Sequence, residues 1–282
     1  MKMRTHYYRG LSPHEFYRAA YHEWGDPDNE RVLICVHGLT RNGRDFDYLA
    51  RALAADYRVI CPDVVGRGDS DYLMVKDAYG YPLYCAEIAT LMARLDVDQV
   101  DWVGTSMGGL IGMMLAATPK NPIRKLVLND VGPFIPKAAL KRIMEYIGTK
   151  RRFRSLQEVE TYIRDVNAPF GPLTDDQWRH LSKHYSRQTV EGDYLLAYDP
   201  GVVLPLTKMP ELTDIDLWPI YDAVKTPVLL LRGVDSDILL RDTAKEMQNR
   251  GPKAQLVEVA DTGHAPALMD GAQIDLVRKW LG

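Results

Sequence analysis

The sequence has little cysteine, little net charge and no long apolar run, and each shortage excludes a class of protein. Three cysteines in 282 residues are too few for a disulfide-stapled fold. Cys35 and Cys61 fall in apolar, strand-like runs and Cys85 in a helix-like one, where a reduced thiol behaves as a small apolar group. No stretch is apolar for the length of a membrane-spanning helix, and the polar start Met1-Lys2-Met3-Arg4-Thr5-His6 has no signal-peptide core. The expectation is a cytoplasmic chain with no membrane partner. A net charge of −3 gives no pull toward nucleic acid. Internal repeats, low-complexity tracts and a phosphate-binding glycine loop with its lysine are all missing. What is left, 46% apolar and 26% charged residues, is the ordinary balance of a globular protein, and an α/β chain of this length can form one core with an inserted segment.

The most informative stretch is Gly104-Thr105-Ser106-Met107-Gly108-Gly109. It follows the short apolar run Val100-Asp101-Trp102-Val103 and precedes Leu110–Ala117, a helix pattern that stops before Pro119. A strand that reverses directly into a helix holds its central residue in a strained conformation and leaves no room for side chains two positions away on either side, hence Gly104 and Gly108. Ser106 is then presented alone at the tip as a nucleophile. The helix aims its first amides at whatever Ser106 attacks, so the Met107 N–H is a candidate oxyanion donor. A second donor is the N–H of Leu39, in His37-Gly38-Leu39-Thr40, where Gly38 lets the chain bend after the apolar run Val32–Val36.

The candidate base is His264, on the loop Asp261-Thr262-Gly263-His264-Ala265-Pro266 after the strand-like run Gln255–Val259. The other six histidines are less well placed. His6, His14 and His22 read as solvated residues of surface strands, His37 as structural, and His180 and His184 as surface helix positions, since no third metal ligand accompanies their i, i+4 spacing. The orienting acid should follow the buried strand Pro227–Gly233, and two carboxylates do so, Asp235 and Asp237. Asp237, just before an apolar pair that would anchor the loop, is favoured over Asp235, which can serve as a cap. A third option is Asp130, after the strand Lys125–Asn129, although here it reads rather as holding the turn Asp130-Val131-Gly132-Pro133.

Strand and helix patterns alternate along the chain, with edge strands over residues 5 to 24 and a helix from about Leu83 to Leu95, which predicts a mainly parallel, doubly wound sheet. The alternation breaks between 134 and 217, where the sequence turns helical, charged and aromatic, with Tyr146, Phe153, Tyr162, Phe170, Trp178, Tyr185, Tyr194 and Tyr198. This predicts a helical cap over residues 134–217, inserted into a core of residues 1–133 and 218–282, on the edge of the sheet where Ser106 points. Some of the aromatics would line a pocket there, and most would pack cap helices. The basic run Lys150-Arg151-Arg152-Phe153-Arg154 reads as a solvated helix start.

On His37-Gly38-Leu39, Asp63-Val64-Val65-Gly66-Arg67-Gly68-Asp69-Ser70, the elbow at Ser106, Asp237 and Gly263-His264, in the order Ser, Asp, His, the whole chain resembles the α/β-hydrolase superfamily, in particular its esterase-like members with a helical cap. The acid loop departs from the commonest pattern in carrying two aspartates. The resemblance implies an eight-stranded, mainly parallel sheet. It also implies a serine carboxylesterase that acts on small or medium esters through an acyl-enzyme, with no cofactor and no metal. Hydroxyacid oligomers become substrates if cap arginines meet a terminal carboxylate. A serine at the elbow argues against dehalogenases and epoxide hydrolases of the superfamily, whose nucleophile is Asp. A meta-cleavage carbon–carbon hydrolase shares the Ser-Met-Gly-Gly wording but commonly has Trp where this chain has Ala265. A ligand-binding, non-catalytic member is the remaining alternative. Oligomeric state cannot be read from the sequence.

Overall fold

The computed structural model describes residues 2–148, 151–208 and 211–282. The chain opens with two long antiparallel strands, β1 (Arg4–Leu11) and β2 (Phe16–Trp24), followed by the short buried strand β3 (Val32–Val36). Helix α1 (Asp47–Leu53), strand β4 (Arg58–Asp63), helix α2 (Tyr81–Leu95), strand β5 (Val100–Thr105), helix α3 (Met107–Ala117) and strand β6 (Ile123–Asn129) then alternate. After β6 comes the inserted segment. It holds β7 (Phe134–Ile135), α4 (Lys137–Tyr146), β8 (Arg152–Phe153), α5 (Leu156–Val166), α6 (Asp175–Tyr185), β9 (Ser186–Gln188), β10 (Tyr194–Leu196), α7 (Leu204–Thr207) and β11 (Ile215–Asp216). Helix α8 (Trp218–Ala223), strand β12 (Val228–Gly233), helix α9 (Arg241–Met247), strand β13 (Gln255–Val259) and helix α10 (Gly271–Leu281) complete the chain.

The main sheet has eight strands in the order β1-β2-β4-β3-β5-β6-β12-β13, parallel from β4 to β13. Its central strands are buried along their whole length because helices cover both faces, which is why β3 and β12 are continuous apolar runs rather than alternating ones. The order turns back on itself between β4, β3 and β5. The carboxyl ends of β3 and β5 therefore open onto one crevice, the place where open α/β sheets bind ligands.

Three local readings change. β2 lies inside the sheet between β1 and β4, so of these first two strands β1 alone is an edge and most of β2 is buried. The insertion is not purely helical, because β8, β10 and β9 form a three-stranded sheet of their own. Arg152 and Phe153 of the basic run belong to its strand β8, not to a helix start; Lys150 lies outside the described residues. At the neck of the insertion, β7 pairs with β11 and the Leu217 N–H donates to the Pro133 carbonyl at 2.6 Å. Buried side chains from the insertion, among them Val159, Ile163, Trp178 and Leu181, join the same apolar cluster as Ile34, Val36 and Trp102 of the sheet.

Candidate active site

The elbow forms because backbone meets backbone on both sides of it. A Cβ at Gly108 would collide with the Val36 carbonyl of β3, and one at Gly104 with the Gly108 carbonyl, so α3 can lie directly against the sheet. The turn puts Ser106 at φ 51° and ψ −114°, a positive-φ conformation that a non-glycine residue adopts only when its surroundings impose it. The Ser106 N–H donates to the Asn129 carbonyl (3.0 Å), and the Gly108 carbonyl accepts from the buried Trp102 indole (3.1 Å).

His264 and Ser106 are brought together: His264 Nε2 lies 3.0 Å from Ser106 Oγ. Asn129, the last residue of β6, ties the two loops to each other, donating from Nδ2 to the Pro266 carbonyl (2.8 Å) and to Thr105 Oγ1 (2.9 Å).

The acid facing His264 is Asp130, whose Oδ2 is 2.7 Å from His264 Nδ1. This corrects the expectation for Asp237 and its alternative Asp235. Along the loop after β12, Ser236, Ile238 and Leu239 point inward while Asp235 and Asp237 point out. Asp237 keeps 48% of its side chain exposed and binds Arg142 of α4 (2.5 and 2.9 Å). The apolar pair does anchor the loop, and by doing so it turns its neighbour to solvent. Asp130 is fully buried and fully bonded. Its Oδ1 accepts the Gly233 N–H (2.8 Å) and its Oδ2 also accepts the Ser236 hydroxyl (2.6 Å), so the loop that carries the two expected acids instead clamps the third.

Gly38, Leu39, Ser106, Met107 and His264 line one cavity of about 180 Å³ between the sheet and the insertion. Met107 opens α3, so its amide has no helical acceptor, and the residue lines the cavity next to Ser106. The walls are otherwise mainly apolar, with Leu110, Ile135, Leu140, Ile143 and Phe170 among them. Two guanidinium side chains, Arg41 and Arg142, reach the lining, and no carboxylate does so among the described residues. Of the insertion's aromatics, Phe170 and Tyr185 line this cavity, while Phe153, Trp178 and Tyr198 are buried in packing; the side chain of Tyr146 lies outside what is described.

Comparison with known proteins places this geometry. The family model for the alpha/beta hydrolase fold matches residues 31–270. The chain belongs to this family. A 3-hydroxybutyrate-oligomer hydrolase of Cupriavidus necator is 49% identical to this hydrolase over 277 residues, covering 96% of this chain and 94% of that one. The crystal structure of an alpha/beta hydrolase from Novosphingobium aromaticivorans superposes with a TM-score of 0.87 at 34% identity, covering 99% and 98% of the two chains. A crystal structure from Rickettsia typhi superposes with a TM-score of 0.92 at 32% identity, covering 100% and 99%.

Among the other histidines of the hydrolase, His6, His22, His180 and His184 depart from the sequence reading, while His14 is exposed and His37 structural as expected. His22 is buried in β2, 3.3 Å from Asp63, and His6 lies 2.6 Å from Glu23 and stacks on Tyr21. His180 and His184 are partly buried beside Asp47, with the Arg44 guanidinium bound to Asp47 and 3.3 Å from His184 Nδ1. Burial, together with Arg44 and His180, lowers the His184 pKa to about 3. His37 is structural: its Nδ1–H donates to the Gly38 carbonyl (2.7 Å) and its Nε2 accepts the Val64 N–H (3.0 Å). Burial, outweighing the Gly38 carbonyl and Asp63, lowers its pKa to about 4 and keeps it neutral.

Sequence reasoning passed over Arg67, which is wholly buried and donates from Nε to the Leu39 carbonyl (2.8 Å) and from Nη1 to the Val65 carbonyl (2.7 Å). It braces the carbonyl of the residue whose N–H is the candidate oxyanion donor. The only signal for it was its place between Gly66 and Gly68 in a segment already noted as part of the resemblance.

Proposed function

We propose that this hydrolase is a serine carboxylesterase that cleaves short oligomeric esters of hydroxyacids such as 3-hydroxybutyrate. The observation that carries the reading is the chain of contacts Ser106–His264–Asp130, opening into an apolar cavity whose charged lining is cationic only. The similarity to the Cupriavidus necator enzyme supports the hydroxyacid ester. A 3-hydroxybutyrate oligomer is methyl-branched along its length and anionic at one end, which suits such a cavity.

In this mechanism His264 Nε2 takes the proton of Ser106 as Oγ attacks the ester carbonyl, while Asp130 holds the imidazole with Nδ1–H toward itself and stabilises the imidazolium. The tetrahedral oxyanion is held by the N–H groups of Leu39 and Met107, each such donor contributing about 3 kcal/mol to the transition state. Collapse breaks the bond to the alcohol oxygen, which leaves with the proton from His264, and Ser106 is acylated. Water, deprotonated by His264, attacks the acyl-enzyme and releases the acid. The inserted segment acts as the cap that closes the cavity and excludes bulk water from the acylation step.

The test is hydrolysis of a p-nitrophenyl acyl series and of the 3-hydroxybutyrate dimer by wild type and Ser106→Ala. The expected outcome is turnover in the wild type and a loss of kcat on the order of 10⁵-fold in the variant. Ester turnover in Ser106→Ala at the wild-type rate would overturn the reading. Turnover of a vinylogous diketone far above that of any ester would reassign the site to carbon–carbon bond hydrolysis.

A further inference from the structure

Arg41 sits two residues beyond the candidate oxyanion donor Leu39 and lines the same cavity as Ser106. A methyl group on Gly38 would lie 3.5 Å from Arg41 Cγ and 3.8 Å from Ser106 Cβ, so the arginine stem and the nucleophile flank one face of the oxyanion turn. The guanidinium is held rigidly. Asp45 takes Nε (2.8 Å) and Nη2 (2.6 Å) in a two-pronged pair, the Tyr185 ring lies 4.3 Å from the guanidinium carbon, and the Phe170 ring lies 5.3 Å away. Tyr185 is itself fixed by a 2.7 Å hydrogen bond between its hydroxyl and that of Thr40. The remaining nitrogen, Nη1, is buried and has no hydrogen-bond partner among the described residues. Buried donors are nearly always satisfied, and this one, on a charged side chain that lines a ligand cavity and also interacts with the Tyr185 hydroxyl, is left for a further acceptor.

We infer that Arg41 Nη1 is the carboxylate anchor of the substrate: it binds the free acid end of a hydroxyacid oligomer and places the ester bond nearest that end at Ser106. The inference rests on the ester-hydrolase reading of the same site. In a 3-hydroxybutyrate dimer the carboxylate carbon is four bonds from the scissile carbonyl carbon, a separation suited to two groups on one face of a single turn. A second observation agrees with the choice of ligand. No carboxylate among the described residues lines the cavity, so an anionic end meets attraction from Arg41 and Arg142 without acidic repulsion inside it. Asp45 neutralises the guanidinium from its other side and keeps it charged despite burial, leaving Nη1 directed away from that pair.

The experiment compares kcat/KM for the 3-hydroxybutyrate dimer as the free acid and as its methyl ester, at a pH where the acid is ionised. Wild type is expected to prefer the free acid by about tenfold to a hundredfold, mainly through KM, as a charge-assisted hydrogen bond would give. Arg41→Gln is expected to bring that ratio close to one, and Arg41→Lys to recover part of it. A purely structural arginine would lower both rates together and leave the ratio where it was, which would overturn the inference. Equal rates for the acid and the methyl ester in wild type would do the same without any variant, whether or not Arg41→Gln folds. Failure of the underlying reading looks different, because wild type would then hydrolyse neither form, nor any p-nitrophenyl ester.

Discussion

At the scale of single residues, the arrangement turns on which carboxylate meets His264. Asp130 is buried, accepts three hydrogen bonds and faces Nδ1; Asp237 is half-exposed and spends its oxygens on Arg142. The energies of the two positions differ accordingly. A carboxylate that orients and charge-compensates the base in the transition state is worth several kcal/mol, and an exposed ion pair at most about 1 kcal/mol. Asp130→Asn is therefore expected to lower kcat roughly 10³- to 10⁴-fold on any ester, and Asp237→Asn to change it by less than about fivefold. Steady-state kinetics of the two variants side by side decides the matter, and the reverse ranking would return the role to Asp237. Asp130 was legible in the sequence only as one of three aspartates at strand ends.

Among the elements, the decisive contact is the approach of α3 to β3. Helices packed on a sheet normally stand off by a layer of side chains, but here Gly104 and Gly108 remove that layer, and the helix axis brings its first amides to the level of Ser106. An added methyl at position 108 would meet the Val36 carbonyl, a backbone atom that cannot rotate aside. Gly108→Ala should thus displace the start of α3, destabilise the fold by about 3 kcal/mol and remove most esterase activity, since the Met107 amide moves with the helix. Chemical denaturation and an activity assay on the same preparation check this together. A variant as stable and as active as wild type would show that the helix has slack the packing does not reveal. The Gly-x-Ser-x-Gly pattern made this element readable, because its constraint is contained in five consecutive residues.

Over the whole molecule, the loop after β4 is joined to the first strands by a buried carboxylate. Glu87, on α2, accepts the Tyr17 hydroxyl of β2 (2.7 Å) and the Val65 N–H (3.1 Å). Burial raises its pKa from 4.5 to about 7, against the lowering effect of those two donors and of Arg67. A folded-state pKa above the unfolded one means that the native chain holds the extra proton. Neither state is favoured by it below pH 4.5, and stability is lost as the pH rises from there to 7. Glu87→Gln, which cannot ionise, should gain on wild type across that window by about 3 kcal/mol at its upper end. Melting temperatures of both proteins between pH 4.5 and 8 measure the difference. A gap that does not change with pH would mean that Glu87 is already ionised in the fold.

The sequence by itself determined the parts whose cause is local. The glycines of the elbow follow from one turn, the buried strands are continuous apolar runs because both sheet faces are covered, and the alternation of elements implies a parallel sheet. Only the tertiary structure decided what depends on residues distant in the chain. His22 looked solvated because its strand looked like an edge, yet β1 covers one side of β2 and β4 the other. His264 meets Asp130 rather than Asp237 because β6 lies between β5 and β12, and the inward turn of Ser236, Ile238 and Leu239 points the later aspartates to solvent. The open nitrogen of Arg41 arises where Asp45, Tyr185 and Phe170 converge from separate elements. A strand or turn is selected by neighbours a few residues away, whereas the direction of one carboxylate or one guanidinium is selected by packing, which no short stretch of sequence contains.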